Sequence, residues 1–193
     1  MRSVKPAIEE LERAFDAFAP LFDITFPKPV IAIQAKGNKN ASGWFVENKW
    51  ENGDTDAIAE ITISAEHLKG EPEDIAETLI HEMVHYANHL EGIIDCSSFQ
   101  YHNKHFKERA ELVGLIVEKG KRGWAYTKLG DELREKVRNV YLDPKAFSLF
   151  RTGIKQNKQP TKMKKWSCGC TNIRAATEVK AVCHRCGRQF IEV

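Results

Sequence analysis

The chain has 193 residues, of which 42% are hydrophobic and 29% are charged, and its net charge is +2. This length allows one ordinary domain and a small appendage but excludes two full domains. The composition is that of a globular protein and excludes a disordered one. The chain as a whole is no polycation, but its basic charge is local. Residues 144–177 contain eight Lys or Arg and no Asp or Glu.

The N-terminal residues do not resemble an export signal. Glu9, Glu10 and Glu12 interrupt the region that would have to be apolar. The chain also has no apolar run long enough to span a bilayer. Four of the five cysteines occur in pairs at metal-ligand spacing and only Cys96 is isolated, which suits a reducing compartment. We therefore expect a cytoplasmic protein with no membrane partner.

The N-terminal half predicts a helix, three strands and a second, longer helix. Apolar residues three and four apart predict the first helix over residues 7–22. The long helix is predicted from the acidic run at residues 71–74 to Leu90, because negative side chains suit the first turn of a helix. Alternating apolar residues and flanking turn residues predict strands at residues 30–33, 43–50 and 60–64.

The C-terminal half predicts further helices at residues 102–118 and 127–142, from apolar residues at helical spacing. A basic linker over residues 144–165 then separates a domain of residues 1–143 from a cysteine-bearing module of residues 166–193. Within this module, strands are expected at residues 177–182 and 189–193. This order of elements predicts an α+β fold with a small metal-bound module at its C-terminal end.

The long helix contains two histidines four residues apart, with a glutamate directly after the first. Side chains at this spacing share one face of a helix, so His81 and His85 can bind the same zinc ion. Glu82 lies about one hundred degrees further around the helix, where it can reach a water molecule on the metal without being a ligand. The competing interpretation is a chance pattern of two ordinary histidines. We predict a catalytic zinc site, with Glu82 as the base that activates water.

A catalytic zinc ion usually has three protein ligands, and the sequence leaves several candidates for the third. His89 continues the stripe of His81 and His85, but it lies about 12 Å along the helix from His81 and cannot join it. The remaining candidates are His102, His105 and a glutamate at either Glu108 or Glu111.

The histidine–glutamate motif, followed by His102 and Phe106 at the spacing of a second short motif, resembles the SprT-like metallopeptidase family, which includes the Spartan proteases. The resemblance implies a zincin-type domain in which His102 is the third ligand. It also implies that an edge strand such as residues 60–64 holds an extended substrate. A C-terminal zinc ribbon, and substrates that are proteins bound to DNA, are implied by the same resemblance.

The C-terminal cysteines form two pairs separated by twelve residues. Two such pairs brought together by a hairpin make a tetrahedral site, so we predict a structural zinc ion in addition to the catalytic one. A module below about 30 residues cannot build a sufficient core, and zinc would supply much of its folding free energy. The predicted ligands are Cys168, Cys170, Cys183 and Cys186.

Basic residues around the cysteines indicate DNA binding without sequence preference, although a solvated linker would have the same composition. The candidate contacts are Lys162, Lys164, Lys165, Trp166, Arg174, Arg185 and Arg188, with the Trp166 ring expected to stack on a base. The sequence thus predicts a zinc-dependent metalloendopeptidase that acts on proteins or peptides, including DNA-associated ones. The alternative is a zinc-containing DNA-binding protein whose peptidase site is vestigial or regulatory.

Overall fold

The computed structural model of the protein describes residues 2–35, 41–51, 53, 57–152 and 163–193. The chain divides into two compact units, Met1–Gly153 and Ile154–Val193. Residues 144–152 belong to the first unit, where Phe147 is part of the hydrophobic core. Residues 153–162 of the predicted linker lie outside the described residues. The predicted domain limits stay predictions.

The first unit contains four helices and seven strands among its described residues. The helices are α1 (Lys5–Phe18), α2 (Pro72–Leu90), α3 (Lys104–Leu112) and α4 (Asp131–Val140). The strands are β1 (Val30–Gln34), β2 (Gly43–Trp50), β3 (Ile58–Ser64), β4 (Cys96–Ser97), β5 (Tyr101–His102), β6 (Leu115–Gly120) and β7 (Gly123–Leu129). Short 3₁₀ turns occur at Ala19–Leu21, His67–Lys69, Ser98–Gln100 and Pro144–Phe147.

Helix α2 is the central element of the first unit. It begins at Pro72, whose fixed φ suits a first helical position, and Glu73 and Asp74 occupy its first turn. Five of its large apolar side chains are completely buried, and together they seat the helix in the core. These are Ile75, Leu79, Ile80, Met83 and Val84. A long helix held by burial over its whole length is a rigid support for the side chains on its remaining face.

Two sheets lie in this unit, and α2 contacts a strand of each, β2 and β7. The first sheet has the order β1-β3-β2, with β1 parallel and β2 antiparallel to β3. The second has the order β4-β5-β7-β6. The α+β class is therefore confirmed. The expectation that residues 60–64 form an edge strand is wrong, because β3 is paired on both sides and the edge strands of this sheet are β1 and β2.

The predicted helices at residues 102–118 and 127–142 are both too long. Helix α3 ends at Leu112, close to Gly114, whose φ of +97° is incompatible with a continuing helix. The residues that follow form the antiparallel pair β6–β7, in which Leu115 lies opposite Leu129. Both leucines are buried, and such apolar positions fit a strand as well as a helix. The sequence periodicity therefore concealed a hairpin next to the predicted metal site.

The second unit is a three-stranded sheet with a small core. Its strands are β8 (Lys164–Ser167), β9 (Asn172–Ala175) and β10 (Ile191–Glu192), with β8 in the centre. The strand predicted at residues 177–182 is wrong, since only a single bridge between Val182 and Gln189 occurs there. In the described part of the chain, no helix is long and apolar enough to cross a membrane.

Candidate metal centres

Three histidines from two elements converge beside α2. His81 and His85 lie on one face of the helix, with ring centroids 5.2 Å apart. His102 comes from β5, where pairing with Cys96 on one side and Gly123 on the other holds its backbone. The Nε2 atom of His102 lies 3.2 Å from that of His81 and 3.0 Å from that of His85. The three ligand atoms thus face a common point.

The opposite nitrogen of each ring has a fixed partner. His85 Nδ1 lies 2.9 Å from the Asp95 carboxylate, and His102 Nδ1 lies 3.0 Å from the backbone carbonyl of Gln100. Because a carboxylate and a carbonyl only accept hydrogen bonds, both Nδ1 atoms carry the proton. His81 Nδ1 lies 3.2 Å from the hydroxyl of Thr127 on β7. This arrangement directs the Nε2 lone pairs toward the shared point.

The electrostatic environment keeps two of the three rings neutral. Burial, reinforced by the charges of His85 and His102, lowers the pKa of His81 well below its ordinary value. Burial and the charge of His85 lower the pKa of His102 to about 4. Burial also opposes a charge on His85, but the hydrogen bond to Asp95 and the charge of Glu82 outweigh it and raise the pKa. A second proton on His85 would lie on Nε2 and could hydrogen-bond to only one of the other two rings. The Nε2 lone pairs of His81 and His102 would still face each other with no proton between them.

These three nitrogens fit a metal ion. Two imidazole ligands of a tetrahedral zinc ion, at about 2.05 Å each, lie roughly 3.3 Å apart, close to the spacings found here. The three ligand atoms all lie within 4.8 Å of one another. A cation at their common point would satisfy the lone pairs that the rings cannot satisfy among themselves. The histidine group could therefore hold a metal ion, and its donor set suits zinc.

Glu82 lies beside this group but does not belong to it. Its side chain is only 5% exposed. Burial raises the pKa of its carboxyl to about 7, although the charge of His85 and a backbone hydrogen bond from Phe45 act in the opposite direction. Strand β2 can approach the helix this closely because of Gly43, where a Cβ would lie 2.8 Å from Thr78 and 3.2 Å from Glu82. The edge strand and the glutamate are therefore in direct contact.

The histidines line a cavity of about 500 Å³. Its lining residues come from the beginning of β2, from α2 and from β7, including Tyr126 and Thr127. Cys96, the isolated cysteine, is partly buried and lines the cavity. The partners Asp95 and Thr127 escaped sequence reasoning, because no spacing rule links either of them to the histidines.

The other candidate ligands lie outside the histidine group. His105 pairs with Glu108 at 3.6 Å on the exposed side of α3, and Glu111 pairs with Lys107. His89 pairs with Glu47 of β2 at 2.8 Å. None of these side chains is among the residues that could hold the metal in the described part of the chain.

The four C-terminal cysteines form a second group. Their sulfur atoms all lie within 4.8 Å of one another, with Cys170 Sγ 3.4 Å from Cys168 Sγ and 3.6 Å from Cys183 Sγ. Ligands of a tetrahedral zinc ion at about 2.3 Å lie roughly 3.8 Å apart. Burial raises the pKa of the Cys168 thiol, but hydrogen bonds from Cys170 lower it more, to about 6, while hydrogen bonds to Cys186, Cys168 and Cys183 raise the pKa of Cys170. The sulfur cluster therefore favours at Cys168 the thiolate that a metal requires. This group, completed by Cys186, could also hold a metal ion.

The candidate DNA contacts on the second unit do not share one environment. Lys165 and Arg174 are exposed and lie directly opposite each other on β8 and β9. Lys164 pairs instead with Glu192 at 2.9 Å. The predicted stacking of Trp166 on a base is wrong, because the ring is 8% exposed and belongs to the core of this unit. Of the other three, Arg185 and Arg188 are exposed, while Lys162 lies outside the described residues.

Comparison with known proteins gives one match. A sequence model of the SprT-like family matches residues 12–123, which is more than half of the chain and includes α2, His102 and the beginning of β7. No curated protein matches the chain, and no solved structure matches it.

Proposed function

This chain belongs to the SprT-like family, and we propose from that premise that it is a zinc-dependent metalloendopeptidase with a zincin-type catalytic domain. In this proposal His81, His85 and His102 bind the catalytic zinc ion, and the four cysteines bind a structural one. The family supports metallopeptidase activity, and the two groups of ligand atoms support the two metal sites.

One observation carries the catalytic assignment. The Nε2 atoms of His81 and His85 both lie within 3.2 Å of the Nε2 atom of His102, and the surrounding hydrogen bonds direct the lone pairs to one point. Nearby, a carboxyl group with a raised pKa is buried but is not a member of the ligand group. Metal ligands with an adjacent base are the arrangement that water-activating zinc sites require.

Zinc at this site would lower the pKa of a bound water and polarise the substrate carbonyl. Glu82 accepts a proton from the attacking water and passes it to the leaving amine. Its backbone hydrogen bond from Phe45 holds the carboxylate on the β2 side of the site. Asp95 and the Gln100 carbonyl keep His85 and His102 in the ligating tautomer. Burial of Glu82 excludes competing water from the carboxylate.

The edge of β2 is the proposed binding surface for an extended polypeptide. Ser64 N–H donates to Ser42 O at 2.8 Å, and Gly43 lies opposite Ile63. Because backbone groups alternate in direction along an antiparallel strand, Gly43 and Phe45 direct theirs away from β3, toward the cavity. Phe45 N–H contacts Glu82, so pairing of a substrate with Gly43 would bring its peptide bond close to the base.

DNA association is a further part of the proposal, and it depends on the second unit. Like charges directly opposite each other on a sheet destabilise the pair, so Lys165 and Arg174 carry a cost that a bound phosphate would offset. Neither residue has an ion pair among the described contacts of this unit. We propose that they contact a phosphate backbone without reading bases, which would bring DNA-bound proteins to the enzyme.

The first experiment measures zinc per chain in the wild type and in the His81→Ala and Cys183→Ala variants. The proposal expects two zinc ions in the wild type and the loss of a different one in each variant. A single zinc ion that only the Cys183 variant loses would refute the catalytic site. That result would favour the alternative, a DNA-binding protein with a vestigial peptidase site.

A hydrolysis assay on an unfolded protein such as casein, with and without single-stranded DNA, then separates the two functions. The metallopeptidase requires cleavage that stops after chelation and in the Glu82→Gln variant. Salt-sensitive DNA binding by a zinc-loaded protein that cleaves neither casein nor DNA-bound protein would leave the alternative as the better account. In the same assay the His102→Ala variant tests the third ligand. The His105→Ala variant is its matched control, because only His102 belongs to the ligand group.

A further inference from the structure

His81 differs from the other two histidines in how its second nitrogen is held. The partners of His85 and His102, a carboxylate and a backbone carbonyl, can only accept. The partner of His81 is the hydroxyl of Thr127, at 3.2 Å, and a hydroxyl can donate or accept. If Thr127 donated, the proton of His81 would move to Nε2 and the ring could not bind a metal.

A third residue settles the direction of this hydrogen bond. Thr127 Oγ1 also lies 3.3 Å from Oε1 of Glu77, on α2. A carboxylate accepts only, and the hydroxyl has a single proton, so Thr127 donates to Glu77. Its remaining lone pair then accepts from His81 Nδ1. The chain of donors runs from His81 through Thr127 to Glu77 and leaves the lone pair of His81 on Nε2.

The fold keeps these three groups together. Glu77 and His81 are four residues apart, so they lie on the same face of α2. Thr127 reaches both from β7, which contacts α2 along this face. The backbone N–H of Leu129, two residues further along the strand, also donates to Glu77. The carboxylate is therefore held by two donors from one strand, and it cannot turn away without breaking both.

We infer that Thr127 and Glu77 are positioning residues that hold His81 in the metal-binding tautomer and tie the metal site to strand β7. This inference rests on the proposed function only for the identity of the metal. Hydrogen-bond partners of metal-binding histidines contribute about 10–100-fold to metal affinity. Thr127 also lines the cavity, so the strand that would form one wall of a substrate cleft is coupled to the affinity of the metal.

The test is zinc affinity, measured by competition with a chelator and without any activity assay. Thr127→Val keeps the shape of the side chain and removes the hydroxyl, so the zinc of the histidine site should bind 10–100-fold more weakly. Thr127→Ser keeps the hydroxyl and should restore wild-type affinity. Glu77→Ala should weaken binding as well, because Thr127 can then donate to His81.

Thr78→Val is the matched control, because Thr78 lines the same cavity and its hydroxyl bonds to His67 and to the Asp74 carbonyl. The zinc bound by the cysteines is an internal reference. The His85→Ala variant lacks a ligand of the histidine site and therefore gives the signal of the cysteine site alone. Circular dichroism of each metal-free variant tests its folding. Equal affinities of the Thr127→Val variant and the wild type would overturn the inference and leave the peptidase proposal intact. Weaker zinc binding in the Thr127→Val variant, together with a wild type that cleaves no protein, would support the inference and overturn the peptidase proposal.

Discussion

The Glu82→Gln variant should lose activity and become more stable when it is free of metal. The substitution keeps the shape of a buried side chain and the acceptor for the Phe45 N–H, but it removes the charge. Burial raises the pKa of the Glu82 carboxyl from 4.5 to about 7 in the folded protein. A carboxyl that titrates higher in the folded than in the unfolded chain contributes stability below about pH 4.5, and this contribution is lost as the pH rises through about 7.

The magnitude follows from the same two values. Each pKa unit corresponds to about 1.4 kcal/mol, so ionising Glu82 in the folded, metal-free protein costs about 3 kcal/mol near pH 8. The variant has no such charge and should exceed the wild type in its free energy of unfolding by up to that amount at pH 8, and by almost nothing at pH 4. Zinc would stabilise the carboxylate of the wild type and reduce the difference. Loss of the base should lower kcat/KM by about 10²–10⁴-fold.

The assay is urea unfolding of chelated protein at pH 4 and pH 8, together with casein hydrolysis by the zinc-loaded protein. Chelation affects the cysteine site equally in both proteins, so that contribution cancels. Glu118→Gln on β6 is the matched control, because Glu118 is exposed and pairs with Lys128 at 3.5 Å. Equal unfolding midpoints of the variant and the wild type at pH 8 would refute the argument from burial. Retained hydrolysis would refute the role of Glu82 as the base.

Three further predictions concern the surroundings of the two sites. Asp95→Asn should weaken zinc binding at the histidine site about 10–100-fold in a chelator competition, because His85 loses a charged acceptor 2.9 Å away. Cys183→Ser should release one zinc ion and unfold only the second unit, which would appear as loss of protease resistance from the C-terminal end. Charge reversal of Lys165 and Arg174 should weaken DNA binding and reduce its dependence on salt concentration. The Lys164→Glu variant should be less affected, because Lys164 already pairs with Glu192.

The histidines illustrate how far sequence spacing reaches. His81 and His85 could be assigned to one site because helical geometry alone brings residues four apart together. Helix α2 was predictable for the same local reason, as were the three strands that precede it and the four clustered cysteines. For His102, the spacing argument left three competitors, and only the resemblance to a family favoured it. The structure places its ring beside the other two through the pairing of β5 with β4 and β7.

The errors in the predicted fold share a cause. Val117 and Leu129 continue the helical spacing of the neighbouring apolar residues and also fit a period of 2, so a hairpin was mistaken for helix. Trp166 was expected to stack on a base because it follows a basic run, yet the second unit has few apolar groups and its core includes this ring. The hydrophobic pattern of a short segment does not indicate which of its two faces another element of the fold will cover.

By itself, the sequence determined the helix that carries two of the candidate ligands and the candidate base, two groups of residues that could hold a metal ion, and the separation of a basic C-terminal region. These are properties of residues close together along the chain, where backbone geometry alone sets the distances. Tertiary structure alone decided that β2 rather than β3 is an edge strand beside the histidines, that Asp95 and Thr127 hold the histidines, and that Glu77 directs the proton of Thr127. Those contacts join residues 10, 46 and 50 positions apart. Only packing of separate elements can bring such residues together, and no local periodicity encodes it.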